Sequence, residues 1–165
     1  AMNILANRGV QVPFRITRAS INPTGFNPDM PASGVRIISE RTASELTSRV
    51  FEGVVADGTG QAAQVDGFSI AGKTGTARKL DPDLGVYLAS KHLASFVGFV
   101  PADRPVLSIV VVLDEPKFSL QYGGQVAAPV FREIARRVLL YLRQRPQFDP
   151  NKKTVTAQLR SQDRP

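Results

Sequence analysis

Apolar and polar positions along the 165-residue chain change their spacing several times, and each change marks an element. Ala43, Leu46, Val50 and Val54 recur at helical intervals behind Ser39, whose hydroxyl can accept from an orphan amide. They predict a helix over 40–56, stopped by Gly58. Val130, Phe131, Ile134, Ala135, Val138, Leu139 and Leu142 form the apolar face of a second helix. Pro129 is expected in its first turn, Arg143 near its end and Pro146 as its stop. Between the two, 68–77 reads as a strand, 80–90 as a loop around Asp81-Pro82-Asp83 and Gly85, and 93–100 as a second strand. After a turn at Pro101-Ala102-Asp103 comes 106–113, so apolar that it is expected centrally in a sheet with both faces covered. Tyr122-Gly123-Gly124 is expected in a loop.

The ends are weaker. Residues 3–8 read as the end of a helix with Gly9 as its stop, and 10–16 as a short strand that Pro13 confines to an edge. The stretch 17–38 holds Pro23, Gly25, Pro28, Pro31 and Gly34 and reads as a loop, as does 59–66. Three consecutive strands joined by short turns predict an antiparallel meander packed on two helices, an α/β chain in an α+β arrangement. The body is placed at 1–146 and a basic polar tail at 147–165, in which 154–159 could pair as a strand if offered a partner. The opening Ala1-Met2 reads as a cloning remnant, so the chain is expected to be cut from something longer.

Composition narrows the chemistry. Apolar residues make up 42%, enough for a core, and the absence of cysteine excludes disulfides and thiolate metal sites. With His92 the single histidine, a histidine metal cluster is excluded too, and no metal or cofactor is expected. No apolar run approaches a membrane span and no signal peptide is visible. The net charge of +7 is uneven: from Arg132 onward there are nine basic and three acidic residues, against twelve and eleven before it. Charges placed late on one helix and a tail read as a solvated face, and no nucleic-acid partner is expected. Arg143 and Arg145 suit a helix carboxyl end, His92 reads as an ordinary loop-to-strand residue, and Asp114-Glu115 is expected to end a strand in solvent.

The richest segment, Gly67-Phe68-Ser69-Ile70-Ala71-Gly72-Lys73-Thr74-Gly75-Thr76-Ala77, has two readings. Gly67–Thr74 matches the phosphate-loop pattern G-x-x-x-x-G-K-[ST], and Val110-Val111-Val112-Leu113-Asp114-Glu115 imitates the strand that holds magnesium beside it. A phosphate loop needs a buried strand before its first glycine and a helix opening at the Lys-Thr. Gln61-Ala62-Ala63-Gln64-Val65-Asp66 is no such strand, and Gly75 with Asp81-Pro82-Asp83 allows no such helix. The other reading makes 68–77 one strand bearing Lys-Thr-Gly, a motif of serine acyl-transfer enzymes.

That strand has company: Gly58-Thr59-Gly60 upstream, then Ser95-Phe96-Val97-Gly98-Phe99-Val100-Pro101-Ala102, Val110-Val111-Val112-Leu113, and Tyr122-Gly123-Gly124-Gln125-Val126-Ala127-Ala128-Pro129-Val130-Phe131. From about Asn3 to Pro146 this succession resembles class B penicillin-binding proteins, and Tyr-Gly-Gly before Ala-Ala-Pro-Val-Phe resembles the cell-division (septal) branch. The resemblance implies part of a penicillin-binding/β-lactamase-like transpeptidase fold. It implies a serine that attacks the penultimate D-Ala carbonyl of a peptidoglycan stem peptide and passes the acyl group to an amine, and β-lactams that imitate the D-Ala-D-Ala end and leave a long-lived acyl-enzyme. Lys73 would set a positive charge beside the substrate carboxylate, and Thr74 and Thr76 would donate hydroxyl hydrogen bonds to it. Gly75 would keep the strand bare, the Thr76 N–H would be one oxyanion-hole donor, and Tyr122, Gly123 and Gly124 would line the cleft.

The same resemblance requires a Ser-x-x-Lys nucleophile. None of the eleven serines has lysine three residues on. The one Ser-x-Asn match, Ser20-Ile21-Asn22, stands where the family has no such motif and reads as chance. The chain alone is therefore expected to be inactive. The remaining amino-terminal part of the same domain is implied as its partner, along with the stem peptide and β-lactams. Without that part the apolar strand at 106–113 has an open edge, so self-association, pairing with 154–159, or membership of a cleaved protein is expected. An envelope location is implied, on the outer face of the inner membrane, with a membrane anchor outside this chain. The rival readings are a nucleotide-binding protein and a non-catalytic envelope-binding module.

Overall fold

The computed structural model describes residues 1–13, 33–117 and 121–148, together with the backbone of 19–22 and 25–28. A short helix α1 (Met2–Ala6) opens the chain, and the Gly9 N–H closes it on the Ile4 carbonyl at 2.7 Å. Two small antiparallel pairs follow: β1 (Val10–Gln11) with β4 (Val35–Arg36), and β2 (Ala19–Asn22) with β3 (Gly25–Pro28). The stretch expected to be a loop at 17–38 thus holds three strands. Its prolines did not forbid them, because Pro28 sits at a strand end and a two-stranded ribbon has edges on both sides.

The expected helix over 40–56 is present but changes pitch midway: α2 (Glu40–Leu46), a π-helical turn (Thr47–Phe51) and α3 (Glu52–Ala56). Ser39 caps it as expected, its Oγ accepting from the Thr42 N–H at 3.0 Å. Where the helix widens, Thr47 and Ser48 donate their hydroxyls to the carbonyls of Ala43 and Ser44, competing with the backbone ladder.

The main sheet is a three-stranded antiparallel meander in the order β5 (Ala71–Asp81), β6 (Val86–Val100), β7 (Leu107–Asp114). The loop expected at 80–90 is only four residues long. Asp81 Oδ1 accepts the N–H groups of Asp83 and Leu84 and closes a tight turn, so both strands run on to it. Conversely, 68–70 precede β5 and are not strand.

Helix α4 (Gly123–Tyr141) covers one face of the sheet with Ala127, Ala128, Phe131, Ala135 and Leu139. Phe131 meets Phe96 of β6 edge-on, ring centres 4.7 Å apart. A turn of 3-10 helix at Gln61–Ala63 and Val55 of α3 complete this core. On the opposite face Ala71, Phe99 and Ala102 pack with Met2, Leu5 and Phe51.

Two expectations for these elements fail. Helix α4 starts six residues before Pro129, which lies inside it. The start was missed because Gly123-Gly124 read as a loop. Strand β7 is not central: among the described residues it pairs with β6 alone, and Val110 and Val112 are 66% and 57% exposed. Only Ile109 and Val111, turned toward α4, are buried. At its end Asp114 and Glu115 are not simply solvated. Lys79 Nζ lies 2.9 Å from Asp114 Oδ1 and 2.7 Å from Glu115 Oε1. These contacts raise the Lys79 pKa and lower that of Glu115.

Candidate active site

Strand β5 is an edge strand, and every residue singled out around Lys73 lies on it in register with β6: Lys73 with Val97, Thr74 with Phe96, Gly75 with Ser95, Thr76 with Ala94. Side chains alternate along a strand. Thr74 and Thr76 therefore face the α4 side and Lys73 the other.

The first turn of α4 meets the two threonines. The Gly123 N–H donates to Thr76 Oγ1 at 3.2 Å, and the hydroxyls of Thr74 and Thr59 are 2.8 Å apart. Neither glycine could be larger. A Cβ on Gly123 would run into the Ser95 carbonyl oxygen, and one on Gly124 into that of Thr59. The two glycines let the helix N-terminus settle onto bare strand backbone.

The result is an open cleft of about 490 Å³. It brings together Thr74, Thr76, Tyr122, Gly123 and Gly124, all expected from the sequence, with Gly58, Thr59, Gln61, Ala62 and Gln125, which were not. No acidic side chain lines it. Threonine hydroxyls, glutamine amides and the positive end of a 19-residue helix suit an anion. The added residues carry no periodic signal: Gln61 and Ala62 sit in the segment after α3 and enter only because it folds back beside β5.

Lys73 and Gly75 do not line this cleft. The Lys73 side chain curls round the strand edge, and its Nζ donates to the Thr74 carbonyl at 3.0 Å. That contact orients the edge. In a strand, N–H and C=O of one residue point to the same side and alternate from residue to residue. A Thr74 carbonyl on the outer edge therefore puts the Thr76 N–H on the outer edge too, outside the ladder with β6. Gly75 is opposite Ser95, and a Cβ there would strike the Ser95 hydroxyl oxygen.

The phosphate-loop reading fails here. Lys73 and Thr74 are mid-strand, with strand continuing to Asp81 where a phosphate loop would open a helix. The imitation magnesium strand ends in carboxylates held by Lys79. Among the described residues there is no group of three metal-ligating side chains, and no helix is long and apolar enough to cross a membrane. His92 pairs with Arg78 within the sheet, away from the cleft. Residues 149–165 lie outside the described residues, including the strand expected at 154–159, and so do the side chains of Ser20-Ile21-Asn22.

Residues 1–136 match the family described as the penicillin-binding protein transpeptidase domain. Among curated proteins, stage V sporulation protein D of Bacillus subtilis is 44% identical over 116 residues, which are 70% of this chain and 18% of that protein. A probable peptidoglycan D,D-transpeptidase FtsI of Caulobacter vibrioides is 35% identical over 153 residues, 86% of this chain and 25% of that protein. Among solved structures, penicillin-binding protein 3 of Mycobacterium tuberculosis complexed with aztreonam aligns with a TM-score of 0.77 at 33% identity, covering 90% of this chain and 35% of that one. The chain spans less than a third of the length of the curated relatives it matches.

Proposed function

The chain belongs to the family of penicillin-binding protein transpeptidase domains, and from that premise we propose that it is the substrate-holding, carboxy-terminal portion of a peptidoglycan D,D-transpeptidase of the cell-division branch. The observation that carries this reading is the acid-free cleft on the β5 edge, where two threonine hydroxyls stand beside a helix N-terminus. In this reading Thr74 and Thr76 donate to the terminal carboxylate of a D-Ala-D-Ala stem peptide. Lys73, at the strand edge, adds its charge; a pair of unit charges 4 Å apart at a surface-like dielectric interacts by about 4 kcal/mol before desolvation.

A serine elsewhere in the domain attacks the penultimate D-Ala carbonyl and the terminal D-Ala leaves. The acyl group then passes to an amine on a neighbouring strand. The outward Thr76 N–H supports its role as an oxyanion donor; removing one such donor from other acyl-transfer enzymes costs roughly a hundred- to thousandfold in rate. Gly75 keeps the backbone accessible, and Tyr122, Gly123 and Gly124 form the opposite wall. β-Lactams are proposed ligands, supported by the complexes of similar chains with aztreonam and ampicillin.

The sequence holds no Ser-x-x-Lys, so the nucleophile is assigned to the amino-terminal part of the same domain, the chain's principal partner. The β7 edge, unpaired among the described residues, and the exposed Val110 and Val112 support docking of that part there; in its absence the same edge would recruit a second copy. The site of action is the outer face of the inner membrane, with the anchor outside this chain. The test is covalent labelling by a fluorescent penicillin. The full-length protein should be labelled and this chain alone should not. Labelling of the isolated chain would place a nucleophile within it and overturn the assignment.

A further inference from the structure

Among the described residues strand β5 has a ladder on one side only. Something other than a second ladder must fix how far along β6 it sits. Helix α4 does part of this, through the Gly123 N–H on Thr76 Oγ1. The segment just after α4 holds the other end. The Gln147 N–H donates to the Gly67 carbonyl at 2.7 Å. The Gln147 Oε1 accepts both the Ser69 N–H at 2.8 Å and the Ser69 hydroxyl at 3.1 Å, while its Nε2 donates to Asp103 Oδ1. The Ala102 N–H closes the ring on the Ser69 carbonyl at 3.0 Å and reaches its Oγ at 3.2 Å.

One side-chain amide thus ties the start of β5, the turn between β6 and β7, and the chain leaving α4. The fit is close. Gly67 has φ +82, a conformation suited to glycine, and a Cβ there would come within 2.7 Å of Pro146. Helix α4 and the segment that leaves it therefore flank the stretch that carries Lys73, Thr74 and Thr76, with the Gly123 contact at one end and the Gln147 contacts at the other.

We propose that Gln147 is a positioning residue for the substrate-holding strand: its amide sets the place of β5, and so of Lys73, Thr74 and Thr76, by locking Ser69 to Asp103. The inference rests on the transpeptidase reading above and deepens it. It extends the working site past Pro146, where the sequence suggested a tail, and past the residues that match the family. Only an amide serves, since Oε1 takes two donors while Nε2 supplies one.

The test has two arms. Hydrogen exchange on this chain needs no nucleophile. Gln147→Ala should speed exchange of the ladder-bonded amides of Ala71, Lys73 and Gly75 by about tenfold while leaving those of β7 unchanged. In the full-length protein the same variant should slow labelling by fluorescent penicillin by about tenfold per folded molecule, since a shift of about 1 Å in positioning groups costs up to a hundredfold. Gln147→Glu keeps the acceptor but sets a second carboxylate against Asp103, and should behave like Gln147→Ala. Adding Asp103→Asn to Gln147→Glu exchanges donor and acceptor, and should restore both readouts to within about twofold of the parent. A residue that merely contributed stability would not show this reciprocal rescue. Unchanged exchange at Ala71, Lys73 and Gly75 in Gln147→Ala, or a double variant no better than Gln147→Glu, overturns the proposal. If the unaltered protein is not labelled, the transpeptidase reading falls, while the exchange arm still decides whether Gln147 holds the strand.

Discussion

The hydroxyl oxygens of Thr59 and Thr74 lie 2.8 Å apart, joining the segment after α3 to the strand that carries Lys73. When Thr59 donates, the Thr74 proton is free to point into the cleft. The Gly123 N–H does the same for Thr76. Thr76 is thus left as a donor toward whatever occupies the cleft, and Thr74 joins it when Thr59 is the donor of their pair. Thr59→Val should slow penicillin labelling of the full-length protein by about fivefold, the equivalent of one net hydrogen bond of about 1 kcal/mol. Thr59→Ser should retain the parent rate. The check is a labelling time course on matched amounts of folded protein.

Gly123→Ala tests the seat of α4. Helix propensity alone would favour alanine by about 1 kcal/mol. The new Cβ would meet the Ser95 carbonyl oxygen, which is backbone inside a sheet and cannot swing aside. The expected outcome is a net loss of about 1–3 kcal/mol in thermal or denaturant unfolding, as for other overpacked sites. Labelling should fall with it, because the helix end is displaced from Thr76.

Phe131→Ala tests the core that supports the cleft. The ring is fully buried against Phe96, and its loss should cost about 3–5 kcal/mol. A cycle with Phe96→Leu should show a coupling of about 0.5–1.5 kcal/mol from the edge-on pair. Urea unfolding of the four proteins measures both.

Glu52 carries the pH dependence. Burial in the groove between α1, α3 and the 101–105 turn raises its pKa above 4.5, and the nearby Asp103 raises it further. A carboxyl whose folded pKa is raised binds more protons folded than unfolded. Its ionisation therefore costs stability as pH climbs from the unfolded value through the raised folded one. Glu52→Gln should stabilise the chain at neutral pH, and the advantage should disappear as pH falls to the ordinary carboxylate range. Melting curves of both proteins between about pH 4 and pH 7 test the sign. Glu133 behaves oppositely. Arg136 and Arg137 hold its pKa at about 2, but the pairs are solvent-accessible and contribute little.

Much of this was legible in the sequence, and the reasons differ by element. Helix starts with a side-chain signal were readable: Ser39 caps where its position said it would. The Lys-Thr-Gly strand and the Tyr-Gly-Gly turn could be brought to one site because motif order carries that information. The π-helical turn was not legible, since it arises from Thr47 and Ser48 turning their hydroxyls back onto the helix. Nor was the length of β5 and β6, which depends on how tightly Asp81 closes its turn. The exposed face of β7 escaped because an apolar run says a strand wants cover, not whether the cover is present. Gln61, Gln125 and Gln147 were invisible for a plainer reason. A polar residue in the first turn of a helix or beyond its end has no periodic signature, and only the fold shows what it touches.

Covalent labelling by a fluorescent penicillin tests the central claim most directly. The full-length protein should take the label, lose most of it with Lys73→Ala, and leave this chain alone unlabelled under the same conditions. A full-length protein that binds no penicillin, or an isolated chain that is labelled, would contradict the account.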